Sequence, residues 1–226
     1  MNSTQDPLYV EDELPVRDEI AQGAGVESIT GRTSPVLNGV PSSSSFKAYR
    51  LVYDQSGHRI THEKFDQSGK LIRDWRYDGF GGLLREITYD KSGGLDYWLE
   101  VVYDGQHWKE KRMYSGQDRL SYRIVAQRNA GGRLLQAIYQ GPEGDTIRLD
   151  SFEYDSSGVL IRVGMEHMGE RLYQYDARGN LGRKVVIQPG ASAYGEVYEF
   201  QYDSRDLIVR MDYLHFSVTL FEFTFH

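Results

Sequence analysis

The sequence predicts an all-β protein: an antiparallel β-meander of hairpin repeats that forms a curved or rolled sheet, with a disordered N-terminal arm. Three observations lead to this prediction. The 226 residues include 17 Tyr and 24 Gly, which are typical of strands and turns respectively. A short unit, Tyr-Asp-x-x-Gly-x-Leu, recurs along most of the chain. At residue 46 a Pro- and Ser-rich stretch gives way to alternating apolar residues.

The first element, residues 1–45, is predicted to be a flexible acidic arm. It contains four of the six prolines, a single aromatic residue, Tyr9, and the run Ser42–Ser45. Seven acidic and two basic residues in this stretch account for −5 of the formal net charge of −7. So little apolar surface cannot offset the entropy lost on ordering. We therefore expect an arm over 1–45 and a repeat domain over 46–226.

The repeat domain is defined by the recurring unit. Four copies begin at Tyr53, Phe65, Tyr77 and Tyr89, at a spacing of 12 residues, and later copies begin at Tyr154, Tyr175 and Tyr202. In each copy Asp is expected to cap the turn by accepting backbone N–H groups, Gly to take the positive φ, and Leu to begin the return strand. A period of 12 corresponds to one strand and one turn, which gives about 13 to 15 strands from residue 46 to the end. A twisted sheet of that width must curl, close or gain a second layer.

Hairpin register gives a sharper prediction. If Tyr at position n faces Leu at n+6, then n−2 faces n+8, which places Arg opposite an aromatic ring in five hairpins and Arg73 opposite Glu63 in a sixth. Arg over an exposed aromatic face contributes about 0.5–1 kcal/mol. We interpret these pairs as structural, and the alternative is a row of aromatic rings that binds sugars. The five predicted pairs are Trp75–Arg85, Arg112–Tyr122, Phe152–Arg162, Tyr173–Arg183 and Phe200–Arg210.

The last stretch, Tyr213–Phe225, is the most apolar part of the chain. Its side chains alternate in two sets, which predicts a bulge or turn near Leu220. Left as an exposed edge, such a strand would favour aggregation, so we expect it to be covered by another part of the chain or by a partner. The candidate partner-binding residues are Phe216, Val218 and Leu220 in one set, and Phe221, Phe223 and Phe225 in the other.

The chemistry-bearing residues do not form a recognisable catalytic or metal-binding motif. The chain has no Cys and six His, and the closest pair, His58 and His62, lies on a predicted strand and too far apart to share a metal. The repeated Asp residues are interpreted as turn caps rather than as a catalytic pair. We therefore expect no enzymatic activity, cofactor or metal.

Charge and hydropathy narrow the partners that the chain could bind. The repeat domain is nearly neutral, so neither nucleic acid nor an anionic membrane is expected as a partner. No apolar run is long enough for a spanning helix. Without a visible signal peptide we expect a cytoplasmic protein by default, and export by a specialised secretion route stays open.

The segments YDGFGGLLREITYDKSGGL and YQYDARGNLGRKV resemble the YD repeats of the Rhs family of bacterial proteins. The resemblance covers most of Tyr53–Tyr213, although the spacing is tighter and no toxin domain follows the repeats. It implies a ribbon of β-hairpins, which in that family often forms a shell around a toxic domain. The leading functional hypothesis is a non-enzymatic protein-binding or scaffold module, toxin-associated or of the immunity type. The alternative is a module that binds carbohydrate or cell surfaces through Tyr and Trp.

Overall fold

A computed structural model describes residues 17–189, 195–214 and 216–226 of the protein. Within these residues the chain forms one short helix followed by strands, and every strand pairing described is antiparallel. The predicted antiparallel meander is therefore confirmed. The elements are α1 (Asp18–Gly23), β1 (Val26–Leu37), β2 (Val40–Pro41), β3 (Phe46–Tyr53), β4 (Arg59–Phe65), β5 (Leu71–Tyr77), β6 (Leu83–Tyr89), β7 (Leu95–Asp104), β8 (His107–Ser115), β9 (Leu120–Arg128), β10 (Leu134–Gln140), β11 (Thr146–Tyr154), β12 (Leu160–Met165), β13 (Gly169–Tyr175), β14 (Leu181–Ile187), β15 (Glu196–Tyr202), β16 (Ile208–Tyr213) and β17 (Ser217–Phe225).

The strands divide between two compact units. The terminal unit comprises residues 17–99 and 198–226, and its strand order is β6-β5-β4-β3-β1-β17-β16-β15. The central unit comprises the described residues of 100–197, where β8 to β14 pair in chain order.

Strand β1 corrects the predicted domain boundary. Residues 18–41, assigned to the flexible arm, form α1, β1 and β2, whereas residues 1–16 lie outside the described residues. The β-branched residues Val26, Ile29, Thr30 and Thr33 suit a strand, and β1 has a partner on each side. The Pro and Ser residues of this stretch are typical of a flexible segment, and they conceal the pattern of β1 in the sequence. The Ser42–Ser45 run is the connection from β2 to β3.

The same strand joins the two ends of the repeat region. Ile29 lies opposite Phe223 of β17 on one side and Leu51 of β3 on the other. The prediction of a curved or rolled sheet made β3 its first strand and left closure of the sheet open, whereas β1 continues the ladder between β3 and β17. The last strand is thus covered within the chain, by a segment that the prediction had placed in the arm.

One row of side chains forms the core of the terminal unit. Ile29, Leu51, His62 and Trp75 are successive cross-strand neighbours in β1, β3, β4 and β5, and all four are buried. At Gly31, two positions along β1, an added Cβ would lie 2.9 Å from the Phe221 ring. Glycine there lets that ring pack directly on the β1 backbone.

Candidate functional site

The repeated Asp residues cap the turns, as predicted. In most copies the Asp Oδ1 accepts the backbone N–H groups two and four residues later at 2.7–3.0 Å. The glycine of the unit has a positive φ, for example +82° at Gly69. Asp118 and Asp206 take the same left-handed conformation in two copies that lack this glycine. Asp104 is different, because it ends β7.

Hydrogen bonding stabilises the ionised form of these carboxylates. The Ser68 hydroxyl donates to Asp66 at 2.6 Å, and this bond, with the Lys70 N–H, lowers the pKa of Asp66. Ser157 and the N–H of Val159 do the same for Asp155. These hydrogen bonds favour the ionised carboxylate, which accepts the N–H groups of its own turn.

The five predicted cross-strand pairs are wrong, because each of these five hairpins contains a one-residue bulge. Tyr77 does face Leu83, as expected, but Leu84 is then skipped and Arg85 faces Arg76. The bulge shifts all later partners by one position. Glu63 faces Asp74 rather than Arg73. Likewise Trp75 faces Glu86, Arg112 faces Arg123, Met113 faces Tyr122, Phe152 faces Val163, Glu153 faces Arg162, Tyr173 faces Lys184, Gln174 faces Arg183, Phe200 faces Met211 and Gln201 faces Arg210.

Cations do lie over aromatic rings, but in other combinations. The Arg148 guanidinium is 3.5 Å from the Tyr139 ring centroid, and the Arg85 guanidinium is 4.1 Å from that of Trp98. The other two tryptophans, Trp75 and Trp108, are buried. All three indole rings are therefore covered by protein groups or by a cation.

Strand β17 divides the candidate partner-binding residues into two sets. Its register opposite β1 is continuous from Ser217 to Thr224, so the bulge predicted near Leu220 is absent and the two sets occupy opposite faces of one strand. Val218 and Phe221 are buried, and Phe223 is half-buried. Phe216, Leu220 and Phe225 are exposed. Only part of the predicted surface can therefore meet a partner.

Phe216 belongs to an exposed apolar patch that the sequence did not reveal. Its ring stacks on Tyr213 at 4.6 Å, and Tyr213 stacks on Tyr198 at 4.7 Å. Its carbonyl accepts the backbone N–H of Val36 at 2.8 Å, which places it beside the β1–β2 hairpin.

That hairpin ends in a cross-strand pair, Leu37 and Val40. Leu37 and Val40 are each 64% exposed, and Phe216 is 60% exposed. We call these five side chains the apolar patch: Leu37, Val40, Tyr198, Tyr213 and Phe216. A sequence signal existed, since Val36-Leu37-Asn38-Gly39-Val40 has the Asn-Gly pair of a tight hairpin between apolar residues.

The polar side chains of the described residues do not assemble a metal centre. Residues 17–189, 195–214 and 216–226 contain no group of three or more His, Asp or Glu side chains suited to an ion. His58 lies in a turn and His62 on β4, and His215 lies outside the described residues. No helix in the part of the chain that the structure describes is long and apolar enough to cross a membrane.

Comparison with known proteins gives partial support for the resemblance. No family model matches the chain. Human Teneurin-4 is 34% identical over 93 residues, which is 41% of this chain and 3% of the relative, and mouse Teneurin-4 matches to the same extent. The chain thus spans about 3% of the length of the curated relatives it matches. Teneurins contain YD repeats, so the match supports a YD-repeat-like relationship.

Solved structures give more distant similarities. A porin-like protein from Bacteroides uniformis is 7% identical with a TM-score of 0.43, over 88% of this chain and 98% of that chain. A crystal structure of TcdB2-TccC3-Cdc42 is 12% identical with a TM-score of 0.30, over 81% of this chain and 14% of that chain. At these TM-scores neither likeness assigns a function.

Proposed function

We propose that this protein is a non-enzymatic scaffold that binds a protein partner through the apolar patch. The observation that carries the proposal is the exposure of Leu37, Val40 and Phe216 next to stacked Tyr213 and Tyr198. Aromatic and aliphatic side chains clustered on a rigid sheet are typical of the centre of a protein interface. The partner is a protein that presents its own apolar surface.

The setting that we propose is toxin-associated, as in proteins with YD repeats. The support is the recurring turn unit together with the Teneurin-4 match over 41% of the chain. In such a module the repeats supply a stiff sheet and the variable side chains supply specificity. The proposal assigns no catalytic step, because the repeated carboxylates are committed to their own turns.

The carbohydrate alternative depends on open aromatic faces. Trp75 is stacked on His62 at 4.3 Å, and Arg85 covers Trp98. Trp108 is buried, with the Lys111 ammonium 5.0 Å from its centroid. Sugar rings stack on aromatic faces that are exposed, so these indoles favour the protein-binding proposal.

The test compares two variants of the full chain. The first carries Leu37→Ser, Val40→Ser and Phe216→Ser, which removes the exposed apolar surface of the patch. The matched control is Phe80→Ser, because Phe80 is 89% exposed at a turn tip in the same unit. Both variants should retain the wild-type unfolding midpoint, since exposed side chains contribute little to stability.

The assay is quantitative co-purification with cross-linking in the cells that produce the protein. We expect a partner that the wild type and the Phe80 variant capture equally and that the patch variant loses by more than tenfold. Losing one or two interface anchors costs about 1.4 kcal/mol or more, which is a factor of ten in affinity. Equal capture by the patch variant and the control would refute the assignment.

A further inference from the structure

Arg123 of β9 is a cation without a partner among the described residues. Its Nε–H group is buried and has no hydrogen-bond acceptor, and its guanidinium forms no ion pair in the part of the chain that the structure describes. The guanidinium lies beside the β10–β11 turn, because a Cβ built on Gly144 would be 3.4 Å from its Nη2 atom. A buried polar group without a partner costs free energy, and a charged one costs more. This guanidinium is therefore suited to bind an anion.

The neighbouring strand places a second guanidinium directly opposite. Arg112 of β8 faces Arg123, and like charges in this position repel each other. Arg112 has two carboxylates of its own, since it donates to Glu110 at 2.9 Å and to Glu100 at 3.2 Å. Neither carboxylate forms an ion pair with Arg123. The charge of Arg123 therefore still lacks a compensating anion within residues 17–189, 195–214 and 216–226.

The row that contains Arg123 continues with polar groups on the next two strands. Arg123 faces Gln140 of β10, and Gln140 faces Thr146 of β11. Gln140 is half-buried and Thr146 is exposed, and neither side chain has a hydrogen-bond partner in the described ranges. A guanidinium, an amide and a hydroxyl can all donate hydrogen bonds, and adjacent strands are about 4.8 Å apart. We call Arg123, Gln140 and Thr146 the donor row.

An apolar row lies next to the donor row on the same face of the sheet. Val125 of β9 faces Ile138 of β10, and Ile138 faces Leu149 of β11. All three side chains are half-buried. Alternate side chains of a strand point to the same face and are about 7 Å apart. An extended peptide has the same spacing between its own alternate side chains, so it can match both rows at once.

We propose that this face of the central unit binds an extended acidic peptide of a partner protein. Its carboxylate contacts the donor row, and an apolar side chain two positions away contacts the apolar row. The planar guanidinium of Arg123 can donate two parallel hydrogen bonds to a carboxylate. Sites for small molecules are usually concave, whereas a peptide that lies along the strands covers both rows on a sheet face. The site contains no residue of the apolar patch, so it is tested separately from the proposed function.

The test is a titration of the 15N-labelled full chain, followed at the Nε–Hε NMR signal of Arg123. This signal is assigned by its disappearance in Arg123→Lys, because lysine has no such group. The probe is the peptide acetyl-Thr-Glu-Thr-Leu-Thr-amide, in which Glu and Leu are alternate residues. We expect a saturable shift, and binding at least about tenfold weaker when Gln replaces Glu in the peptide. Equal binding of the two peptides, or no saturable shift, would overturn the proposal.

The matched variants show which group binds the carboxylate. Arg123→Gln should weaken binding of the Glu peptide to the level of the Gln peptide. Arg119→Gln is the control, because Arg119 is an exposed arginine of the β8–β9 turn in the same unit, and it should bind like the wild type. An equal loss in the control contradicts the site, because it means general attraction between charges. Acetate, which has no apolar group, should bind at least about tenfold more weakly than the peptide, and equal binding contradicts the role of the apolar row.

The acidic residues of the adjacent turn are the competing anions. Glu143 and Asp145 are exposed on either side of Gly144, and neither forms an ion pair with Arg123 among the described residues. Glu143→Gln with Asp145→Asn should therefore leave the Arg123 signal of the free protein unchanged. A shift as large as that caused by the peptide would show that the turn holds the guanidinium, which contradicts the proposal. Arg123→Gln should also not lower the unfolding midpoint, since it removes a charge that faces Arg112, and a clear decrease would show that protein groups hold this side chain instead.

Discussion

We expect the stability of the terminal unit to depend on pH through His62, which is buried on β4. Its side chain is fully buried on β4 between Leu51 and Trp75, and neither ring nitrogen has a hydrogen-bond partner. Burial, reinforced by the positive charges of Arg59 and Lys64, lowers the pKa of His62 well below 6.5. The imidazole is therefore neutral in the folded protein at neutral pH.

The sign of the effect follows from the direction of this pKa shift. Because the folded-state pKa lies below the unfolded value of about 6.5, the unfolded chain takes up the proton first as the pH falls. The free energy of unfolding then decreases by up to about 1.4 kcal/mol for each pH unit below 6.5, until the pH passes through the folded-state pKa. Between pH 6.5 and pH 5 the loss is up to about 2 kcal/mol.

The perturbation is His62→Leu, an apolar side chain placed between Leu51 and Trp75. We expect the variant to lie within about 1.5 kcal/mol of the wild type at pH 7, since lost stacking on Trp75 opposes the removal of two unpaired nitrogens. At pH 5 the variant should gain up to about 2 kcal/mol relative to the wild type. Urea unfolding at half-unit steps from pH 5 to pH 7.5 measures this difference.

The control is His167→Asn, because His167 is exposed at a turn with a φ of +62° that Asn tolerates. This variant should keep the wild-type pH dependence. The reasoning fails if wild type and His62→Leu have parallel stability curves between pH 5 and pH 6.5. It also fails if histidine NMR signals of the folded protein show His62 titrating at its ordinary value.

Three further predictions concern the turns and the short helix. Asp18→Ala should lower the free energy of unfolding by about 2 kcal/mol, because the buried Arg59 guanidinium donates to Asp18 at 2.6 and 3.1 Å. An unchanged urea unfolding midpoint would show that this ion pair does not stabilise the fold. Gly69→Ala should lower the free energy of unfolding by about 1 kcal/mol, since Gly69 has a φ of +82° with open space around it. Gly79 in the next turn is equally open but has no positive φ, so Gly79→Ala should lower it much less. Equal shifts of the thermal unfolding midpoint in the two variants would contradict the argument. Asp155→Asn should keep the turn but remove the contribution of Asp155 to the pH dependence of stability below about pH 4. Because the pKa of Asp155 is lower in the folded than in the unfolded protein, its carboxylate stabilises the fold above the unfolded-state pKa, and this contribution disappears as the pH falls through the folded-state pKa. Acid unfolding followed by circular dichroism checks this expectation.

The turns could be predicted from sequence because their physics is local. Asp66 and Gly69 are three residues apart, and the carboxylate and the positive φ act within the same short loop. The unit therefore carries its own structural information, whatever lies on either side. The same locality explains why Asp206, without the glycine, still forms an equivalent turn.

The register could not be derived from an ideal ladder, because the hairpins built on the repeat unit add a residue after the turn, whereas β12–β13 and β16–β17 keep a continuous register. A signal was nevertheless present: two consecutive aliphatic residues follow many turns, as at Leu83–Leu84, Leu134–Leu135 and Leu160–Ile161. In each pair the first residue is buried and the second is exposed. Strict alternation would allow one aliphatic residue there, so a doubled one indicates the bulge.

The apolar patch could not be predicted from the sequence for a different reason. Leu37 and Phe216 come from distant parts of the sequence, and they become neighbours only because β1 pairs with β17. A local pattern can identify β1 as a strand, but it does not specify which strand is its partner. Among the candidate partner-binding residues, Phe216, Leu220 and Phe225 are exposed and Val218 and Phe221 are buried, and their role in binding a partner stays a prediction.

Strand β1 also sets the order in which the protein can fold. Hairpins such as β4–β5 join residues about a dozen positions apart and can form as soon as they leave the ribosome. Ser28 and Thr224, whose hydroxyls lie 2.7 Å apart, are separated by 196 residues. β1 must therefore remain without β17 until the residues between them have been synthesised, and the slowest step is expected to be this long loop closure. A chaperone or a partner that shields β1 during that interval would raise the yield of folded protein without changing the final structure.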